Sequence, residues 1–108
     1  NKGRNLENLI FIELKRQNKE IYYYSNKNEC DFLVKEGNII TEAIQVSYML
    51  DESNREREIN GLIDAMSALK LKEGLIITFE QTEDIKIEDK KIKVIPAYRW
   101  IIEGADYT

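Results

Sequence analysis

The sequence predicts an α/β domain with a mixed central sheet. Three β-patterned segments follow one another between residues 21 and 48, and a helical pattern separates the third from a nearly all-apolar strand at Leu75 to Phe79. Further helical patterns open and close the chain. A helix between two strands acts as a crossover, so strands three and four are expected to be parallel. The first three strands, joined by short turns, should form an antiparallel meander. The expected order is helix, three strands, helix, strand, two short strands, helix, which makes a sandwich of helices against a sheet.

Each element has its own signal. Leu6 to about Asn18 reads as a helix, because Leu6, Leu9, Ile10 and Leu14 follow helical spacing while Phe11 and Ile12 widen the stripe. A stripe this wide predicts a helix packed on more than one side. Glu7 falls in its first turn and Lys15 and Arg16 in its last, as the helix dipole favours. Ile21 to Tyr24 is β-branched and aromatic, and Ser25 to Glu29 is turn material. Asp31 to Lys35 is a second strand ending in the turn Glu36-Gly37-Asn38. Ile39 to Tyr48 is a third, with Ile44, Val46 and Tyr48 on one face and Gln45 and Ser47 on the other.

The second helix starts at a capping box, Ser53-x-x-Glu56. Its stripe is Ile59, Leu62, Ile63, Met66 and Leu69, and Gly74 is the stop signal. Ile85-x-Ile87 and Ile92-x-Val94 flank Glu88-Asp89-Lys90-Lys91 as a hairpin. Ala97 to Glu103 is a short amphipathic helix or turn, with Trp100 as its anchor on the sheet.

Composition narrows the function. The chain has 108 residues, 43% hydrophobic and 33% charged, and residues 1–108 are read as one globular domain. Sixteen basic against 20 acidic residues give a net charge of −4, so a general electrostatic grip on nucleic acid is not expected, although a local basic patch is compatible with it. The absence of histidine excludes Ser-His-Asp and Cys-His catalysis and histidine zinc ligands. The single cysteine, Cys30, cannot form an internal disulfide, which fits a cytoplasmic protein. The longest unbroken apolar run is Leu9 to Ile12, too short for a membrane span or signal segment. A start at Asn1-Lys2-Gly3 reads as a fragment of a longer protein.

One constellation suggests chemistry: Glu7 on the first helix, Asp31 opening the second strand, and Gln45 and Ser47 two apart on the third. A helix, an Asp-bearing strand and a strand with a polar-x-polar pair is the layout of a metal-dependent nuclease. There, carboxylates hold Mg²⁺, the ion activates water, and a lysine steadies the charge.

The stretch Leu6-Glu7-Asn8-Leu9-Ile10-Phe11-Ile12-Glu13-Leu14-Lys15-Arg16 resembles the opening of a bacterial and archaeal domain of unknown function found in the C-terminal part of AAA-type ATPases. The resemblance continues through Glu20 to Tyr24, Glu29 to Val34, Ile44 to Tyr48 and Val94 to Trp100, nearly the whole chain. That domain is similar to the PD-(D/E)XK restriction-endonuclease-like superfamily, with an α-β-β-β-α-β core. The resemblance therefore implies a restriction-endonuclease-like sandwich with a mixed sheet. It also implies an ATPase domain as partner, with ATP bound there and not in this stretch.

Carried over by residue, the resemblance assigns Glu7 to the acidic position of the first helix and Asp31 to the metal-binding aspartate. Gln45 and Ser47 stand where the superfamily has glutamate and lysine. Glu7, Asp31 and Gln45 would be the ligands of any Mg²⁺. The two replacements remove one negative charge from the metal and the positive charge beside the phosphate. Losing one such stabiliser typically costs about 2.7–4 kcal/mol in the barrier. The expectation is a vestigial catalytic site in a domain used for interaction. The alternatives are a Mg²⁺-dependent nuclease, with Glu7 and Asp31 as ligands, Gln45 as a neutral ligand and a lysine from elsewhere (Lys35, at a strand end, is poorly placed for it), and a module that binds DNA or RNA without cleaving it.

The bland readings are concrete too. Glu7 would serve the helix dipole, Asp31 a turn, and Gln45 and Ser47 would be polar residues on a partly open sheet face. Tyr23, or Tyr22 with Tyr24, would pack in the core, since alternation forbids one three-tyrosine platform. Arg55 and Arg57 would lie on a salt-bridged face with Glu52, Glu56 and Glu58, and Lys90, Lys91 and Lys93 at a hairpin tip.

Overall fold

A computed structural model describes residues 1–105, with side chains to Glu103. The elements are α1 (Lys2–Arg16), β1 (Glu20–Ser25), β2 (Glu29–Glu36), β3 (Ile39–Val46), α2 (Arg55–Ala68), β4 (Glu73–Thr78), β5 (Glu83–Ile87), β6 (Lys90–Pro96) and α3 (Ala97–Ala105). The six strands form one mixed sheet in the order β1-β2-β3-β4-β6-β5. β1, β2 and β3 are the expected antiparallel meander. β3 and β4 are parallel across the α2 crossover, β4 and β6 are parallel, and β5 and β6 form the expected hairpin.

Two apolar layers sandwich the sheet. On one side α1 and α3 cover Phe32, Val34, Ile44, Val46 and Ile77, with Leu6, Ile10, Leu14 and Ala97 pointing inward. Trp100 is half-buried in this layer, as its anchor role requires. On the other side α2 lays Ile59, Leu62, Ala65 and Met66 over Cys30, Leu33, Ala43, Ile76, Ile92 and Val94.

Two glycines set how close α2 comes to the sheet. A Cβ on Gly61 would fall inside contact distance of the Glu29 carbonyl and 2.6 Å from Gln45 Nε2. One on Gly74 would meet Met66 Sδ at 2.6 Å. Gly74 is therefore not the stop of α2 but a residue of β4 that makes room for it. The helix ends at Leu69, and Lys70 turns the chain with a positive φ of 58°.

Other expectations are corrected locally. α1 starts at Lys2, because the Asn1 side chain accepts the Arg4 N–H at 3.1 Å. Glu7 is thus a turn further in and has no N-terminal dipole to serve. α1 is packed on one side only, and Leu9, Phe11 and Ile12 are exposed. The Ser53–Glu56 capping box does not form. Instead, Asp51 Oδ1 accepts the Ser53 and Asn54 N–H groups and the Ser53 hydroxyl. This acceptor load holds the Asp51 carboxyl below the usual range. Among the tyrosines, a register shift between Tyr22 and Tyr24 breaks alternation, so only Tyr24 packs on the α2 core while Tyr22 and Tyr23 stay exposed.

Arg55 reaches across to Glu83 on β5 with two bonds of 2.8 and 2.5 Å, not to its helical neighbours. The hairpin tip is Glu88–Asp89, with Glu88 at φ 54°, and Lys90, Lys91 and Lys93 belong to β6.

Candidate functional site

The main-chain ladder between β2 and β3 ends at Phe32 opposite Ile44. One residue further on, Asp31 would face Gln45, and here side chains take over from the backbone. The Asp31 N–H donates to Gln45 Oε1 at 2.8 Å, and the Val46 N–H donates to Asp31 Oδ2 at 2.8 Å. This reciprocal pair closes the sheet where two peptide groups would otherwise lack partners.

Gln45 is only 3% exposed and does more than bridge two strands. Its Nε2 donates to the Glu29 carbonyl at 2.9 Å and to the Glu58 carbonyl at 3.0 Å. One side chain thus ties β2, β3 and α2 together, with both amide hydrogens and the oxygen engaged. The absent side chain of Gly61 lets α2 come near enough for the Glu58 bond. Ser47, past the end of β3, donates its hydroxyl to the Met49 carbonyl at 3.2 Å. Beyond it, Gln81 links the loops after β3 and β4: it accepts the Leu50 N–H at 2.7 Å and donates to the Leu50 carbonyl at 3.0 Å. The carboxyl ends of parallel strands are where α/β sheets usually open for a ligand, and here they are stitched together.

Glu7 and Ser47 line a shallow recess of about 370 Å³ with Val46, Asn54, Arg57 and Glu58. Gln45 and Asp31 do not line it. Asp31 is near enough to feel the recess: burial first, then the negative charges of Glu7, Glu58 and Glu29, push its carboxyl up to about 7, against the opposing bond from Val46. Glu58 is also raised, chiefly by burial, although Arg57 pairs with it at 3.5 Å. Sequence reasoning placed Glu58 on a solvated face. Its position next to Ile59 on the packed stripe of α2 was the signal that it would be half-covered.

The fit of Mg²⁺ to these residues is poor. A hard cation needs several free oxygen donors converging on one point. The Gln45 oxygen is already an acceptor for a backbone N–H, and one Asp31 oxygen is held by Val46. Among the described residues, no group of three or more Asp, Glu, Cys or His side chains is placed to hold a metal. Lys35 does not approach the site, since its Nζ sits over the Tyr22 ring, 5.9 Å from the centroid. Cys30 is fully buried, its thiol pushed up to about 12 by burial, which leaves it unreactive.

These features define an α/β domain in which the polar residues at the β2–β3 junction hold strands and helix in place. The chain belongs to the family described as a domain of unknown function, DUF4143, which matches residues 2–100. It is similar to the uncharacterized protein MJ1544 of Methanocaldococcus jannaschii, 43% identical over 111 residues that cover 93% of this chain and 25% of that protein. The chain thus spans about a quarter of the length of this curated relative. No helix among the described residues is long and apolar enough to cross a membrane.

Proposed function

We propose that this chain is a non-catalytic accessory domain, used for contacts within a longer protein. It is built on a restriction-endonuclease-like core whose nuclease position has become a structural joint. One observation carries the reading: every polar group of the Gln45 side chain is engaged by the fold, so the position that would hold a metal holds three elements together instead. The engaged Ser47 hydroxyl and the distant Lys35 support it further. The resemblance to C-terminal domains of AAA-type ATPases supports an ATPase as the larger protein, and a relative four times as long as the aligned stretch is consistent with one.

The test is a calorimetric titration with Mn²⁺ and Mg²⁺ on the protein and on Asp31→Ala, together with incubation on branched and single-stranded DNA. The expected result is no saturable metal binding up to millimolar concentration and no cleavage. Binding that disappears in Asp31→Ala, accompanied by cleavage, would replace this reading with a metal-dependent nuclease. Strongly salt-dependent DNA binding without cleavage would replace it with a nucleic-acid module.

A further inference from the structure

We propose that the outer face of α1 is the docking surface for an acidic, apolar-faced helix of the same polypeptide outside these 108 residues. This rests on the accessory-domain reading and adds to it the surface and the chemistry of the partner.

α1 carries apolar residues beyond those the sheet buries. Leu6, Ile10 and Leu14 are buried against it. Leu9, Phe11 and Ile12 remain 45%, 42% and 61% exposed. Ile12 lies two residues from both Ile10 and Leu14, which at about 100° per residue turns it away from the sheet. Phe11 is only partly sheltered, its ring 6.4 Å from that of Phe32. The neighbouring α3, in contact with α1, also leaves Tyr98 and Ile102 exposed. Clustered apolar exposure of this kind marks an interaction surface.

Charge identifies the occupant. Arg4, Asn8, Ile12 and Lys15 form one row along the helix at i, i+4, i+8 and i+11. The row has a cation at each end with Asn8 and the exposed Ile12 between them, and 11 residues of rise separate the ends by roughly 16 Å. Among the described residues neither Arg4 nor Lys15 has an ion-pair partner, whereas Arg16 is taken by Glu13 at 2.6 Å. With four basic and two acidic side chains, α1 carries +2 in a chain of net −4. A helix of three to four turns, apolar in the middle and acidic at both ends, matches this row. About three quarters of the relative's length lies outside the aligned stretch, which is ample chain to supply it.

The experiment uses the full-length polypeptide. Ile12→Cys and, as an exposed reference on β6, Lys91→Cys are labelled with a maleimide and read by peptide mass spectrometry. The buried Cys30 contributes no signal. Ile12→Cys is expected to react at least about tenfold more slowly than the reference, as a docked surface opens only rarely. Adding Arg4→Glu and Lys15→Glu should bring the two rates together, and Leu9→Cys should repeat the pattern. Equal rates without the charge reversals would overturn the proposal. So would protection that the reversals leave intact, protection lost on dilution (a second copy), or protection present only with phosphatidylserine vesicles (a membrane). None of these rates depends on metal binding or DNA cleavage, so the docking surface and the non-catalytic reading fail separately.

Discussion

The two faces of the sheet are covered in opposite ways. On the α2 face, helix and strands meet at the limit of approach, with Gly61 and Gly74 leaving no room for a side chain and Gln45 bonded across the gap. On the α1 face, contact is made by apolar side chains, Phe32 and Trp100 among them, and α1 also leaves Leu9, Phe11 and Ile12 exposed. The contrast teaches where freedom lies. A face closed by backbone proximity and a fully engaged amide has no spare donor for a ligand, whereas a face closed by side-chain packing of the α1 and α3 stripes leaves the outer sides of those helices available.

Gly61→Ala should break the α2 face most severely. The new methyl group meets a backbone carbonyl, which cannot swing aside as a flexible side chain would. Helix α2 must shift, and the Gln45–Glu58 bond stretches with it. We expect a loss of about 3 kcal/mol or more, at the upper end of overpacking effects, read as a fall in the denaturation midpoint. A loss below about 1 kcal/mol would mean that α2 rides more loosely than Gly61 implies.

Gln45→Ala comes next. It strands the Asp31 N–H and the carbonyls of Glu29 and Glu58 in a buried setting. A cost of about 2–3 kcal/mol is expected, less than three full unsatisfied groups because water can enter the gap. Gln45→Glu sharpens the point. It places a carboxylate at position 45 but sets it against two carbonyl oxygens. It should also destabilise, and millimolar Mg²⁺ should not restore the midpoint. A metal-dependent recovery in Gln45→Glu would mean that the ligand geometry survives beneath the joint.

The sequence made much of this legible, and its failures are local. Period-2 runs and the α2 crossover were enough for the meander, the parallel step and the hairpin, because those follow from patterning and chain connectivity. The α2 stripe was readable, but its two ends were not. Ser53 and Gly74 carried plausible signals, yet the N-cap is Asn54, held in a turn by Asp51, and Gly74 serves a contact with Met66 that only the tertiary structure creates. At the site, Gln45 was legible as a polar, uncharged residue on the third strand. That its amide would join three elements was not, since Glu29 and Glu58 lie 16 and 13 residues away and both contribute backbone carbonyls, which no residue type announces.

Asp31 offers a gentler perturbation of the same joint. Its folded carboxyl titrates at about 7 against an ordinary 3.8, so between those values the folded chain keeps a proton that the unfolded chain releases. Its contribution to stability is therefore greatest below pH 4, falls as pH rises towards 7, and is level above. Asp31→Asn keeps an oxygen for the Val46 N–H and removes the charge. The variant should match the parent near pH 4 and exceed it at pH 7.5 by about 1–2 kcal/mol, allowing for partial solvent screening. Burial also raises Glu42, whose slope is common to both proteins and cancels in the difference, whereas Glu58, which repels Asp31, is relieved in the variant and adds to the gain at pH 7.5. A variant weaker than the parent at pH 7.5 would show that the charged form is held by a cation.

The smallest expected effect belongs to the α1 face. In the 108-residue chain, Ile12→Ala removes a side chain that is mostly in water already, so it forfeits little burial and leaves no cavity. Alanine also has the higher helix propensity, by a few tenths of a kcal/mol, which offsets what contact Ile12 does make. The net change should stay within about 0.5 kcal/mol, against about 2–5 kcal/mol for truncating the fully buried Ile10 two residues earlier. If Ile12→Ala instead costs more than about 1 kcal/mol in the isolated chain, its side chain is already covered there, by a second copy at the protein concentrations used. Repeating the measurement across a hundredfold dilution separates the two, because a self-associated face loses its stabilisation with concentration and an open one has none to lose.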